Sequence, residues 1–457
     1  MSRMMETRIR WGFFALMAAV LALVLPRLNP VYAGGNLLNR NAVGGILVKP
    51  NGLVERATVQ ERTEILQRMK RDTPKASPEM NLPVELRKVS LRGLEAALAN
   101  AVANNTEDVP EEIRFLGGLQ RIQYILVYPE SQDIVLAGPG EGWKVDDNGQ
   151  VVGVTTGRPV LRFDDLLIAL RTAQRARTEG ISVSIDPTAE GLRKYQQFMQ
   201  QQKVFNPAVI KNVAQVMGPQ KITFSGIPTN SHFARVLLAA DYRMKRMAMH
   251  LDDNPTTILP SYLAMLKEAR RQPSTAMPRW WMACDYQPLA RSDDKLAWEI
   301  RGPGVKVMTE DEIIAADGTT QGTGRADLVA KKWADTLTEK YEAVSREDPA
   351  LAELQTLMDM AVIAAVIKKE DLTGLAGAEF PNLMDADSAF QTEDWRSPQT
   401  ISTQISHVLI GRNHVITASG GVQLESWEVA GKQEVDPEVK AIHTKAAPTE
   451  VGSWWWN

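Results

Sequence analysis

Between about residues 115 and 309 the chain alternates apolar runs of strand length with helical stripes. This alternation constrains the fold more than any other feature. Residues 121–128 (RIQYILVY) and 133–137 read as strands joined by a turn at Pro129, with another strand at 151–155 after Asp147-Asn148-Gly149. A helix then runs from Asp164, as its N-cap, to about Arg177, with Leu167, Leu170 and Ala173 along its buried stripe. Two later units share one grammar. Strand 181–185 leads through Asp186-Pro187-Thr188 into a helix holding Leu192, Tyr195 and Met199, and strand 222–227 leads through Pro228-Thr229-Asn230 into a helix holding Phe233, Val236, Leu237 and Ala240. After a helix around Tyr262, Leu263 and Leu266, strands resume at 280–286, 295–301 and 305–308. The last two are expected to form a hairpin about Gly302-Pro303-Gly304 and to extend the same sheet.

The flanks are simpler. Residues 34–114 contain a hairpin about Pro50-Asn51-Gly52, a Pro-containing linker and a helix over 90–103. Residues 311–325, rich in Gly and Thr, read as a linker between the 115–310 core and a helical hairpin at 326–372. That hairpin shows two stripes, Ala330, Trp333, Ala334, Leu337, Tyr341 and Val344, then Leu351, Leu354, Met358, Ala361 and Ala365. Residues 373–431 are expected to end in an antiparallel meander of strands 405–410, 414–418 and 422–429. A polar tail over 432–457 closes on Trp454-Trp455-Trp456, a triplet suited to docking or to an inert end. The expected fold is α+β: a mixed β-sheet flanked by helices, followed by an αα-hairpin and a C-terminal antiparallel β-meander.

Arg3, Arg8 and Arg10 precede an apolar run at 11–25, and Val31-Tyr32-Ala33 offers a small-residue cleavage site. Residues 1–33 therefore read as a secretory signal peptide, and the protein is expected to be exported, periplasmic or extracellular, with no stable transmembrane anchor after cleavage. The single cysteine, Cys284, excludes an intrachain disulfide. With 52 basic against 55 acidic side chains, the surface is mixed and mildly acidic, which argues against nucleic acid as a partner.

No phosphate loop, dinucleotide fingerprint, nucleophile elbow or H-E-x-x-H motif occurs. Gly138, Gly140 and Gly142 are not followed by a helix N-terminus, as a phosphate cradle requires. The five histidines have no pairwise ligand spacing, so neither metal nor cofactor is expected, and His232 reads as decoration of a first helical turn. Ser292-Asp293-Asp294-Lys295 matches S-x-x-K but lies between strands. Two places suit a ligand. Alternation over 280–286 puts Trp281 and Asp285 on one face, with Tyr286 adjoining, and Trp280, Met282 and Cys284 on the other. The helix around 241–246 carries Arg235, Arg243 and Lys245, an anion-binding set.

The run Gly226-Ile227-Pro228 through Phe233-Ala234-Arg235-Val236-Leu237 to Ala240-Asp241-Tyr242-Arg243-Met244-Lys245-Arg246 resembles a family of uncharacterised exported planctomycete proteins. Arg279-Trp280-Trp281, 307–312 and Asn382-Leu383-Met384 extend the likeness over most of 115–370. The resemblance implies export and a globular domain of unknown function. It implies no mechanism and transfers no catalytic residue. Export without a catalytic motif favours a non-catalytic protein that binds a small molecule or a protein partner. The alternative is a hydrolase of unfamiliar type using Asp285 and Glu310 as its carboxylates.

Overall fold

The long apolar runs become strands because two layers bury them. The computed structural model describes residues 42–43, 46–48, 54–56, 59–104, 109–202, 207–252, 258–448 and 453–457. Residues 1–33, read as a signal peptide, and Pro50-Asn51-Gly52, read as a turn, lie outside the described residues. The strands beside that turn, Ile46–Val48 and Val54–Arg56, pair antiparallel. The fold is α+β, with mixed sheets flanked by helices.

Two sheets each hold seven strands. The first runs Thr320–Gly322, Gly304–Ile314, Pro278–Asp285, Ser419–Leu424, Ile181–Asp186, Gln220–Ser225, Thr400–Ile401. Its pairings are antiparallel except between Pro278–Asp285 and Ser419–Leu424. The second runs Gln433–Val435, Leu289–Arg291, Ala297–Glu299, Tyr124–Tyr128, Asp133–Gly140, Val84–Ser90, Trp455–Trp456. Its central strands are apolar on both faces because both are covered. Ile125, Val127, Ile134 and Leu136 join the main core, while Leu126, Tyr128, Val135 and Ala137 pack with Val439 and Ala446 near the helix Pro437–Lys445. The first sheet differs. Ile181, Val183 and Ile185 are buried, whereas Ser182, Ser184 and Asp186 stay partly exposed, so one face is core and the other polar.

Helices cover the core face. Trp280 meets Tyr262 and Trp333 edge-on at 5.1 and 5.2 Å. The helix Pro349–Lys369 is long and apolar enough to cross a membrane by length and composition. It is instead 89% buried over its most apolar window, packed against helices Phe163–Glu179, His232–Ala248 and Ser426–Gly431.

Three expectations need correction. Gly302-Pro303-Gly304 does not turn a hairpin but carries the chain between sheets, since Ala297–Glu299 pairs with Tyr124–Tyr128 and Gly304–Ile314 with Pro278–Asp285. The expected linker at 311–325 belongs to a β-hairpin. Gly304–Ile314 turns at Asp317-Gly318 and returns as Thr320–Gly322, a hairpin whose polar residues imitate a linker. Of the expected meander, only Ser406–Ile410 and Arg412–Ile416 pair with each other, while Ser419–Leu424 enters the middle of the first sheet.

The terminal tryptophans close an edge. Trp455 and Trp456 pair antiparallel with Val89 and Lys88, and Ser90 N donates to Trp454 O at 2.8 Å. The fully buried Arg87 lies over the Trp455 ring at 4.9 Å. Gly93 has no side chain because a Cβ there would lie 2.4 Å from Trp454 Cβ. Deleting 453–457 should cost about 2–3 kcal/mol of stability through lost aromatic burial and a reopened edge. Denaturant unfolding measures this, and an unchanged midpoint would refute the clasp.

Candidate functional site

The polar face of the first sheet assembles a groove from four strands. The register sets Trp281 between Met308 and Gly421, with Ser184 beyond, and Arg279 between Glu310 and Ser419. Ser182, Ser184, Asp186, Arg279, Trp281, Glu312 and Gln423 rise around a floor of Gly420 and Gly421, enclosing about 400 Å³. Neither glycine tolerates a side chain. A Cβ at Gly420 (φ +105°) would sit 1.9 Å from Trp280 O, and one at Gly421 would sit 1.8 Å from Val183 O. The floor therefore carries no side chain.

Trp281 also borders a second cavity of about 480 Å³, lined by Met308, Glu310, Arg325 and Lys331 among others. The Arg279 guanidinium lies over the Trp281 ring at 5.0 Å and reaches Glu310 and Glu312, each at 3.7 Å. Glu312 accepts from Ser419 Oγ at 2.7 Å, and burial raises its carboxyl above the ordinary range. Asp186 accepts from Gly420 N at 3.1 Å. With Asp186 and Glu312 against Arg279, the groove has one more acid than base. Among the described residues no group of three or more His, Cys, Asp or Glu is placed to hold a metal ion.

The structure brings Trp281 and Glu310 together and separates the rest. Asp285 stands in its own recess of about 80 Å³ with Lys306, Glu425, Glu428 and Lys432. It pairs with Gly304, six residues along the strand from Glu310, or roughly 20 Å. Carboxylate pairs that hydrolyse glycosides stand about 5–9.5 Å apart, so Asp285 and Glu310 are not such a pair. Tyr286 borders the same recess, but its hydroxyl donates to Asp359 at 2.7 Å, and Arg121 Nη2 also holds that carboxylate, at 2.8 Å. Cys284 is buried, and desolvation pushes its thiol up to about 12.

The expected anion-binding set is interior. The helix His232–Ala248 is buried almost throughout, and its cations are already matched. Arg235 donates to Arg396 O at 2.5 Å. Arg243 bonds Asp348 at 2.7 Å and also Asp252, which Arg246 shares at 2.8 Å. Lys245 pairs with Asp241 at 3.0 Å. His232 is equally internal, its Nδ1 2.8 Å from Asp165 and its ring 4.7 Å from Trp395. These cations are spent on the protein's own acceptors, leaving none for an external anion.

Sequence reading found Trp281 and missed Arg279, Glu312, Asp186 and the two glycines. The signal was present in Ile-Ser-Val-Ser-Ile-Asp at 181–186, where every second residue is polar. Gly420-Gly421 read as a turn because the strand containing it pairs with residues about 140 and 240 positions earlier.

Residues 183–262 match the family described as "Protein of unknown function (DUF1598)", so the chain contains a DUF1598 domain there. The match covers strand Ile181–Asp186 from Val183 onward and all of strand Gln220–Ser225 and helix His232–Ala248. No curated protein and no solved structure matches the chain.

The interior placement of Arg243 makes a strong prediction. Among the described residues, Arg243→Ala takes the only cation from the buried Asp348 and one of two from Asp252, and should destabilise the protein by about 3–5 kcal/mol. Denaturant unfolding reads this directly, and a loss under about 1 kcal/mol, as for a surface site, would contradict the burial.

Proposed function

We propose that the chain is an exported, non-catalytic binding protein that takes a neutral or cationic, hydroxyl-rich ligand, such as a sugar, in the groove over Gly420 and Gly421. The carrying observation is the position of Trp281, partly exposed where cavities of about 400 and 480 Å³ meet. An indole offers an apolar surface to the C–H face of a sugar ring. Ser182, Ser184, Asp186, Glu312 and Gln423 supply acceptors and donors for hydroxyls around it. A concave site with one aromatic surface and a few convergent polar groups is the usual form of a small-molecule site. The acid excess disfavours anionic ligands by like-charge repulsion. Export follows from the reading of residues 1–33 and suits a ligand met outside the cytoplasm.

Binding is favoured over catalysis because the two proposed acids are too far apart to share a bond. The test is calorimetry of the full chain against a panel of neutral oligosaccharides. Trp281→Ala should weaken binding at least about tenfold while leaving the unfolding midpoint in place. Asp285→Asn should leave affinity unchanged. Failure of every oligosaccharide to bind the wild type, or full affinity in Trp281→Ala, defeats the reading.

A further inference from the structure

The groove floor lies where the sheet ladder breaks. Between Ile181–Asp186 and Ser419–Leu424 the register runs Ile181↔Leu424, Ser182↔Gln423, Val183↔Val422 and Ser184↔Gly421, and there it stops. At the next step, Ile185 and Gly420 are joined from below by a side chain. Lys245 Nζ donates to Ile185 O at 2.6 Å and to Gly420 O at 3.1 Å. Its third bond goes to Asp241 Oδ2, one helical turn away. An ammonium has three protons, and all three are used. From the groove side Asp186 takes the Gly420 N–H. Gly420 is thus held at both its backbone polar groups, by a buried lysine underneath and a groove carboxylate above.

The support beneath is charge-dependent. Two carbonyl oxygens aimed at one point repel unless a cation sits between them. The Lys245 side chain is only 5% exposed and Asp241 wholly buried, so the ammonium depends on the carboxylate for compensation. Asp241 Oδ1 is itself buried without a hydrogen-bond partner. We propose that Asp241 and Lys245 are positioning residues for the groove: their ion pair ties Gly420, on the groove floor, to the buried Ile185 of the neighbouring strand, and proton uptake by Asp241 loosens that floor and weakens binding. The proposal rests on the reading of the groove as the ligand site.

The sign can be worked out from the surroundings. Burial raises the Asp241 carboxyl to about 7, although Lys245 pulls it down, and Asp186 adds to the rise. The folded protein therefore holds this proton more tightly than the unfolded chain, whose aspartates titrate near about 4. Stability from this group is complete below the unfolded value and is lost as pH rises toward about 7. Groove affinity runs the opposite way, falling as pH drops below neutral. A merely structural role would not separate the two trends. The charged group facing the pair through the sheet is Asp186, which shares the groove with Arg279 and with Glu312, itself raised by burial.

The test follows the Gly420 amide by NMR in the full chain, glycine-labelled with nitrogen-15, between about pH 5.5 and about pH 8.5 without ligand. The wild type should show one step near neutral. Asp241→Asn should flatten it, whereas Asp186→Asn, which keeps an acceptor oxygen, should retain it. A step that persists in Asp241→Asn, or no step in the wild type, overturns the inference; the second criterion holds even if the variant does not fold. Oligosaccharide affinity of the wild type should fall about five- to tenfold from the higher to the lower pH, and that of Asp241→Asn should not change. Equal wild-type affinity at both pH values overturns the inference and leaves the groove reading intact. Absence of binding at either pH overturns the groove reading itself.

Discussion

The structure depends on the pairing of charges inside one helix layer. The helix His232–Ala248 carries His232, Arg235, Asp241, Arg243, Lys245 and Arg246, yet sixteen of its seventeen residues are buried. Each unpaired charge there would cost several kcal/mol, so the surrounding elements must deliver matching groups. They do so from separate parts of the chain. Asp165 comes from the helix Phe163–Glu179, and Asp348 caps the helix Pro349–Lys369 while binding Arg243. The carbonyls of Ile185 and Gly420 come from two strands. Such partners admit few alternative registers, and the helix thereby fixes the helices and strands packed on it.

This arrangement explains how a protein with an ordinary apolar content presents a polar groove. The core helix takes one face of the first sheet, and its lysine supports the other face from beneath. The parallel entry of Ser419–Leu424 between two strands brought from far earlier in the chain places paired glycines at the centre. Around them the alternating strands supply polar side chains, and Trp281 supplies the single large aromatic surface.

The sequence made the elements legible where burial alone decides them. Alternation in 280–286 separated Trp280 from Trp281 correctly, and the apolar runs 121–128 and 133–137 emerged as strands. The helix read over 90–103 forms as Leu91–Ala103, with Ser90 as its cap rather than its first residue. Partnership was not legible. The arginines and lysine of 235–245 read as an anion-binding set because Arg243 meets Asp348 105 residues away and Arg235 meets the Arg396 carbonyl 161 residues away. The end of the hairpin, within 311–325, looked like a linker because it is rich in Gly and Thr. The terminal tryptophans gave no hint of their partner strand, since the pairing of Trp455 with Val89 spans nearly the whole chain.

The central claim is that ligand meets the protein at Trp281 above the glycine floor. The most direct measurement is the indole N–H spectrum of the tryptophans, eleven in the full chain, recorded while a neutral oligosaccharide is added. The account predicts that the Trp281 indole shifts, while the buried indoles of Trp280, Trp298 and Trp333 hold still. Saturable shifts confined to any other tryptophan, with Trp281 unmoved, would contradict it.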